Sequence, residues 1–149
     1  MTATNHALTG VAIVVAVGSA WALPLAFAAH FVMDAIPHFD VGPDHSKAAR
    51  NFAFSDVAVA GVLSIFMALW LGNIAPTWLI LAGAFLCAVP DAVWGWRYYL
   101  RRDYKKLLAE PMSAFTRWHL KIQWSETHQG SVVEAFWLAF LLTYLITRR

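Results

Sequence analysis

The sequence predicts an all-α fold, a polytopic integral membrane helical bundle that forms one domain over residues 1–149. Hydrophobic residues make up 60% of the 149 positions, against roughly 45–50% in soluble domains. Charged residues make up only 13%, about half of the usual share. A soluble domain of this length cannot bury so much apolar surface, whereas a lipid bilayer accepts it. One domain is the number that this length allows.

The first predicted element is a short N-terminal helical hairpin. A break near Gly18, and the position of Pro24 in the first turn of a new helix, predict arms at residues 7–17 and 24–39. Both arms are short for a bilayer crossing, which needs about 20 residues. The alternative is a single span over residues 7–29.

Three further apolar segments follow the hairpin. They predict helices at residues 55–71, 77–96 and 131–146, with a kink or an end of the second one at Pro90. The stretch over residues 97–124 is basic and amphipathic. Its pattern predicts an interfacial helix with its basic side toward anionic headgroups, so we expect membrane lipids as partners.

The basic residues predict the orientation of this bundle. If the hairpin forms, nine of the eleven lysines and arginines lie on one side of the membrane, and that side is then expected to face the cytoplasm. These nine are Lys47, Arg50, Arg97, Arg101, Arg102, Lys105, Lys106, Arg117 and Lys121.

The most specific motif joins two histidines and an aspartate. His30, Asp34 and His38 are spaced i, i+4, i+8, so on a continuous helix they share one face. A charge inside a span costs roughly 2.5–3.5 kcal/mol on insertion scales, so such residues are functional candidates. Imidazole nitrogen and carboxylate oxygen are good ligands for zinc, and also for manganese or iron. The alternative is a polar seam in which histidine and aspartate bond across helices.

Other acids and histidines are expected at the same end of the bundle, which favours metal over a seam. Since one zinc takes about four protein ligands, this set predicts two ions, and Asp40 is predicted as the catalytic residue that orients water or accepts its proton. Arg97 and Arg101 lie near the same plane and can hold a phosphate. The predicted metal ligands are His6, His30, Asp34, His38, Asp91, His119 and His128.

Three roles stay open. Asp56 is expected at the start of the third helix, where the helix dipole favours an acid. Ser131 and Glu134 have the spacing of a capping box, which competes with a catalytic role for Glu134. His119 is the polar member of the apolar face of the interfacial helix, and it either turns toward the metal site or snorkels to the interface.

Two motifs resemble those of a known family. The segments "TNHALTG" at residues 4–10 and "HFVMDAIPHFD" at residues 30–40 resemble the bacterial family of predicted membrane-bound metal-dependent hydrolases. The similarity covers most of the chain and rests on these two motifs, with weaker matches at Pro90-Asp91 and Thr127-His128. The family often has a histidine just ahead of its final one, whereas here the preceding one is His119. The family is also compared with zinc-dependent phospholipase C.

The resemblance implies a small polytopic protein of the bacterial inner membrane with a His/Asp metal site. Together with the basic residues, it predicts a metal-dependent hydrolase that acts on a lipid or lipid-linked phosphate ester. Paired ions clamp the attacking and leaving oxygens of such esters. Metal or proton transport and a metal-stabilised scaffold are the alternatives. No nucleic-acid partner is expected, and a homo-oligomer is left open.

Overall fold

The secondary structure is helical, as predicted. The computed structural model describes residues 1–39, 47–100 and 113–148, and the side chains of all of these except residues 93–100. Within these ranges there are six helices: α1 (Ala3–Val17), α2 (Ala22–Asp34), α3 (Lys47–Trp70), α4 (Thr77–Leu100), α5 (Ala114–Ile122) and α6 (Gly130–Ile146).

The N-terminal hairpin is present, so the single helix over residues 7–29 is wrong. Gly18 ends α1 with a φ of 65°, a left-handed conformation that glycine adopts without steric cost. Its N–H bonds the carbonyl of Val14 at 2.9 Å. Pro24 lies in the first turn of α2, where its missing N–H is not needed.

The second arm ends five residues earlier than predicted. Residue 34 is the last of α2, whereas the hydrophobic pattern predicted an end at residue 39. Pro37 explains the difference, because a proline disfavours helical backbone at the residue before it, Ile36. His38 is therefore not on the helix face of His30 and Asp34, and that part of the predicted stripe is wrong.

Two other helices are longer than predicted. Helix α3 begins at Lys47, eight residues before the predicted start at residue 55, because the lysine, the arginine and the three alanines among residues 47–54 are good helix formers. Helix α4 continues through Pro90 to Leu100, so Pro90 does not end it.

The core forms around α1, which contacts α2, α3, α4 and α6. Leu8, Val11 and Val14 are fully buried in it. Gly10 and Gly83 let α1 and α4 touch along their backbones, since a Cβ on Gly10 would overlap the carbonyl of Gly83. Gly10 lies one helical turn from His6 along α1, and Gly83 lies about two turns from Asp91 along α4.

Local hydrogen bonds and a close backbone approach position the two C-terminal helices. Ser113 caps α5 by accepting a bond from the N–H of Thr116 at 3.1 Å. Between α5 and α6, the N–H of Thr127 bonds the carbonyl of His38 at 2.9 Å. Gly130 begins α6 against the backbone of His38, where no Cβ fits.

Large apolar side chains remain exposed along several helices. Among the described residues, α3 alone is long and apolar enough to cross a membrane, with a mean hydropathy of 2.0 and 22% of the apolar window buried. Its exposed face includes Val62, Ile65 and Leu69. Four shorter apolar helical segments accompany it: Ala3–Val17, Ala22–Asp34, Thr77–Ala92 and Gly130–Ile146.

Candidate metal centre

Three imidazoles surround the carboxylate of Asp34. Its Oδ1 lies 3.0 Å from Nε2 of His6, and its Oδ2 lies 3.1 Å from Nε2 of His30 and 3.0 Å from Nε2 of His119. The histidines come from α1, α2 and α5, and all four residues are buried. His119 thus turns toward the centre, which was one of its two predicted positions.

Asp91 of α4 completes the group on its outer side. Its Oδ2 lies 3.6 Å from His6 Nε2, and its Oδ1 lies 3.6 Å from the Nε2 atoms of both His30 and His119. The side chain of Asp91 is 30% exposed, whereas that of Asp34 is fully buried. The centre therefore has one buried carboxylate and one that solvent reaches.

The spacing of these atoms suits one metal ion. One ligand atom each from His6, His30, Asp34 and Asp91 lie within 4.8 Å of one another, so these residues can hold an ion. Ligand atoms bound at 2.0–2.1 Å are separated by about 2.9–3.4 Å in octahedral or tetrahedral geometry. The distances of 3.0–3.1 Å to Asp34 fall within this range, and those of 3.6 Å to Asp91 lie just beyond it.

A backbone contact fixes which nitrogen of His30 is free to bind. Nδ1 of His30 lies 2.8 Å from the carbonyl oxygen of Cys87. Because a carbonyl only accepts, Nδ1 carries the hydrogen, and neutral His30 presents a lone pair on Nε2. Metal-binding histidines are held by the same kind of contact. Nε2 of His119 lies 3.0 Å from Nε2 of His30, so both nitrogens could bind the same cation.

Asp56 holds the start of α1, the helix that carries His6. Its carboxylate accepts bonds from the N–H groups of Ala3 at 2.6 Å and Thr4 at 3.2 Å, and from the Thr4 hydroxyl at 2.6 Å. It lies inside α3, so its expected place at the start of that helix is wrong. Its acid still neutralises a helix N-terminus, but that of a neighbouring helix.

Glu134 is a buried carboxylate that joins three segments. It accepts bonds from the N–H and hydroxyl of Thr2, from the amide of Asn5 at 3.0 Å, and from the N–H of Phe39 at 3.1 Å. The predicted capping box is wrong, because the Ser131 hydroxyl bonds the carbonyl of residue 128 instead. With both oxygens occupied by donors, Glu134 positions the centre from outside it.

Three of the predicted site residues lie elsewhere or outside the described residues. His38 is buried, its Nδ1 lies 2.8 Å from the Ile36 carbonyl, and its Nε2 has no hydrogen-bond partner among the described residues. His128 is exposed, with its ring 6.0 Å from that of Phe39. Neither belongs to the converging group. Asp40 lies outside the described residues.

Sequence reasoning missed two further contacts with Asp34. Nε2 of Gln123 lies 3.5 Å from Oδ2, and the α-amino nitrogen of Met1 lies 2.9 Å from Oδ1. The signal for Gln123 was available, because it follows His119 by four positions and so shares its helix face. Nothing in the pattern indicated Met1.

Comparison with protein-family models, with curated proteins and with solved structures finds no match for this chain.

Proposed function

We propose that this chain is a membrane-embedded metal-dependent hydrolase that acts on a lipid or lipid-linked phosphate ester. The convergence of three imidazole Nε2 atoms on the carboxylate of Asp34 carries the proposal. The centre holds two carboxylates, Asp34 and Asp91, against one ammonium, that of Met1 on Oδ1 of Asp34, so a further cation would offset the remaining negative charge. Nitrogen and oxygen ligands of this kind suit zinc, and also manganese or iron.

One ion fits this centre better than two. Seven ligands were predicted, and two ions with them, but five of the seven groups surround a single point. One zinc takes about four protein ligands, or three and a water in a catalytic site. The remaining candidate closest in sequence to these groups is His38. It lies past the end of α2 and does not join them. We therefore propose one ion here.

The exposure of Asp91 favours hydrolysis over a purely structural role. A catalytic zinc keeps a position open to water or substrate, and supplies a nucleophile near neutral pH. Asp91 is the carboxylate that solvent reaches, and it lies 0.5–0.6 Å farther from the imidazoles than Asp34 does. We propose that one oxygen of Asp91 would help to hold the ion while the other orients the attacking water and accepts its proton, a role that the sequence suggested for Asp40.

The exposed apolar surface supports a place in the membrane. Side chains of α3 such as Val62 and Leu69 are 68% and 73% exposed, and water solvates such a face poorly. The shorter apolar helices surround the same core. We propose that the metal centre lies at the cytoplasmic face of a bacterial inner membrane, because the basic residues predicted on that side favour this orientation. Retention in the membrane pellet at alkaline pH supports this, and release with peripheral proteins contradicts it.

Metal content tests the centre directly. Detergent-purified wild type is compared with Asp34→Asn and with His128→Ala, which removes an exposed imidazole outside the group. Elemental mass spectrometry should give about one zinc or manganese per chain in wild type and in His128→Ala, and none in Asp34→Asn. A screen of phosphate esters on the loaded protein then tests hydrolysis. No metal in wild type after reconstitution overturns the proposal.

A second candidate is a metal-stabilised scaffold. The five groups come from α1, α2, α4 and α5, so a bound ion would tie four helices together. A structural zinc is closed by its protein ligands, whereas a catalytic one binds a water. X-ray absorption on the zinc-loaded protein separates the two, because a shell of protein ligands alone supports the scaffold and an additional water oxygen supports the hydrolase.

A further inference from the structure

An apolar groove opens between the C-terminal end of α2 and the first half of α6. Its volume is about 400 Å³, and the side chains that line it are apolar or aromatic. One wall includes Met33 and Ile36, and the other includes Val133, Phe136 and Phe140. A groove of this size lies within the usual range for small-molecule sites, about 300–1,000 Å³.

The groove adjoins the metal centre. Met33 lines it and directly precedes Asp34, the carboxylate that the three imidazoles surround. Met1 lines it from the other side, and the α-amino nitrogen of Met1 contacts Oδ1 of that carboxylate. An apolar site and a cation-binding site therefore lie next to each other, which is the arrangement that an amphiphile requires.

We propose that this groove binds the single alkyl chain of an amphiphile whose anionic phosphate headgroup binds at the metal centre. The inference rests on the proposed function, since the ion supplies the positive charge that holds the headgroup. It assigns the groove as the chain subsite and names the substrate class as single-chain alkyl or acyl phosphates.

The walls favour a hydrocarbon chain over a polar ligand. The lining offers a polar substrate little to bond, because the indole N–H of Trp137 already bonds the Thr9 hydroxyl at 2.9 Å. Phe136 and Phe140 are 73% and 57% exposed, so the outer end of the groove opens on an apolar helix face. In a membrane, a chain can enter from the lipid there without crossing water.

Photolabelling tests the subsite on the zinc-loaded protein. The probe is an alkyl phosphate with a diazirine near the end of its chain, and labelled residues are mapped by mass spectrometry. Val133→Trp fills the groove from α6, and Ile36→Trp fills it from α2. The matched control is Val132→Trp, which adds the same indole one residue away at a position that is 58% exposed and does not line the groove.

The expected result is labelling of residues 133–140 that unlabelled alkyl phosphates displace. Longer unlabelled chains should displace the probe more strongly until the groove is full, because each added methylene contacts more of its lining. Both groove-filling variants should lose this dependence on chain length, and Val132→Trp should keep it. Micelles also bind longer chains more tightly, but equally for the three variants, so their difference isolates the groove.

The outcomes separate the groove from the proposed function. Labels spread evenly over the exposed face of α3, with no effect of Val133→Trp, overturn the chain subsite even if zinc is bound. Absence of zinc from wild type overturns the metal centre instead. Labelling of residues 133–140 that unlabelled alkyl phosphates do not displace also overturns the proposal.

Discussion

The carboxylate of Glu134 accepts a hydrogen bond from the hydroxyl of Thr2 at 2.6 Å, across 132 positions of sequence. Thr2 is the residue before α1, and its carbonyl accepts a bond from the N–H of His6 at 3.1 Å. Glu134 therefore fixes the start of the helix whose second turn carries a candidate ligand. The amide of Asn5 and the N–H of Phe39 also donate to Glu134, and they join its carboxylate to α1 and to the segment after α2.

Replacing Glu134 should lower the stability of the fold. We expect Glu134→Ala to lower the free energy of unfolding by about 3 kcal/mol, because several donors lose their acceptor inside the fold. Glu134→Gln should cost less, since its carbonyl still accepts. Denaturant unfolding in detergent measures both. In a double-mutant cycle with Thr2→Val, a coupling of about 0.5–3 kcal/mol is expected for residues in direct contact. Additive effects would show that the contact contributes nothing.

The crossing of α1 and α4 gives a second prediction, with a control inside the same chain. A Cβ on Gly10 overlaps the backbone of Gly83, whereas a Cβ on Gly61 of α3 meets open space. Gly10→Ala should therefore destabilise the fold by about 1–3 kcal/mol. Gly61→Ala should stabilise it by about 0.5–1 kcal/mol, because alanine is the better helix former.

The two variants should also differ in metal binding. Gly10→Ala pushes α1 away from α4, and with it His6 from Asp91, so zinc affinity should fall. Gly61→Ala should bind zinc as wild type does. Thermal unfolding and zinc titration on the same samples measure both properties. Equal behaviour of the two alanine variants would mean that the close approach at Gly10 is not needed.

The helices were predictable because their cause is local. Gly18 and Pro24 define the hairpin by backbone geometry that neighbouring residues set. Of the predicted ligands, His30 and Asp34 follow from helical spacing alone, since residues four apart share a face. His6 and Asp91 could be proposed because both were expected at one end of apolar segments.

The rest depended on contacts between distant segments, which spacing does not encode. Asp56 and Glu134 each had a plausible local role at a helix start, but both bind the N-terminal segment around α1. His38 fitted the helical spacing, yet the helix ends at Asp34, four residues before it, because Pro37 disfavours helical backbone ahead of it. Local sequence rules identified these residues as polar groups with a structural role, but they predicted the wrong bonding partners.

His38 gives a prediction about pH. Burial, with a smaller contribution from the charge of the α-amino group, lowers the pKa of His38 below its ordinary value of 6.5. At pH values above 6.5, the His38 side chain is neutral in both the folded and the unfolded state. Below that pH the unfolded state takes up a proton first, so acidification favours unfolding by up to about 1.4 kcal/mol per pH unit until the folded state also protonates.

We expect metal-free wild type to lose more stability than His38→Gln between pH 7.5 and 5.5. Glutamine does not titrate, and its amide can still donate to the Ile36 carbonyl. Denaturant unfolding of the chelator-treated proteins at several pH values measures the difference. His128→Gln, which changes an exposed histidine, should follow wild type. Parallel pH profiles for wild type and His38→Gln would rule out this role for His38.

The candidate ligands should contribute unequally to zinc affinity, and Asp34 should contribute most. Both of its oxygens face imidazoles, and it is the buried negative charge that balances an ion at this centre. Asp34→Asn should therefore weaken zinc binding by more than about 100-fold, the upper end of the loss caused by removing an outer partner.

Loss of the His119 imidazole should weaken zinc binding less than loss of the Asp34 carboxylate, because His119 lies on the short helix α5. Helix α5 contacts α2, where Phe31 packs against the rings of Phe115 and Trp118. Removing one imidazole from this short helix leaves four other groups at the centre, and a water can take its position. Competition with a zinc chelator should rank the variants as Asp34→Asn weakest, then His119→Ala, then His128→Ala equal to wild type. Equal losses in the first two would mean that α5 is as firmly part of the centre as α2 is.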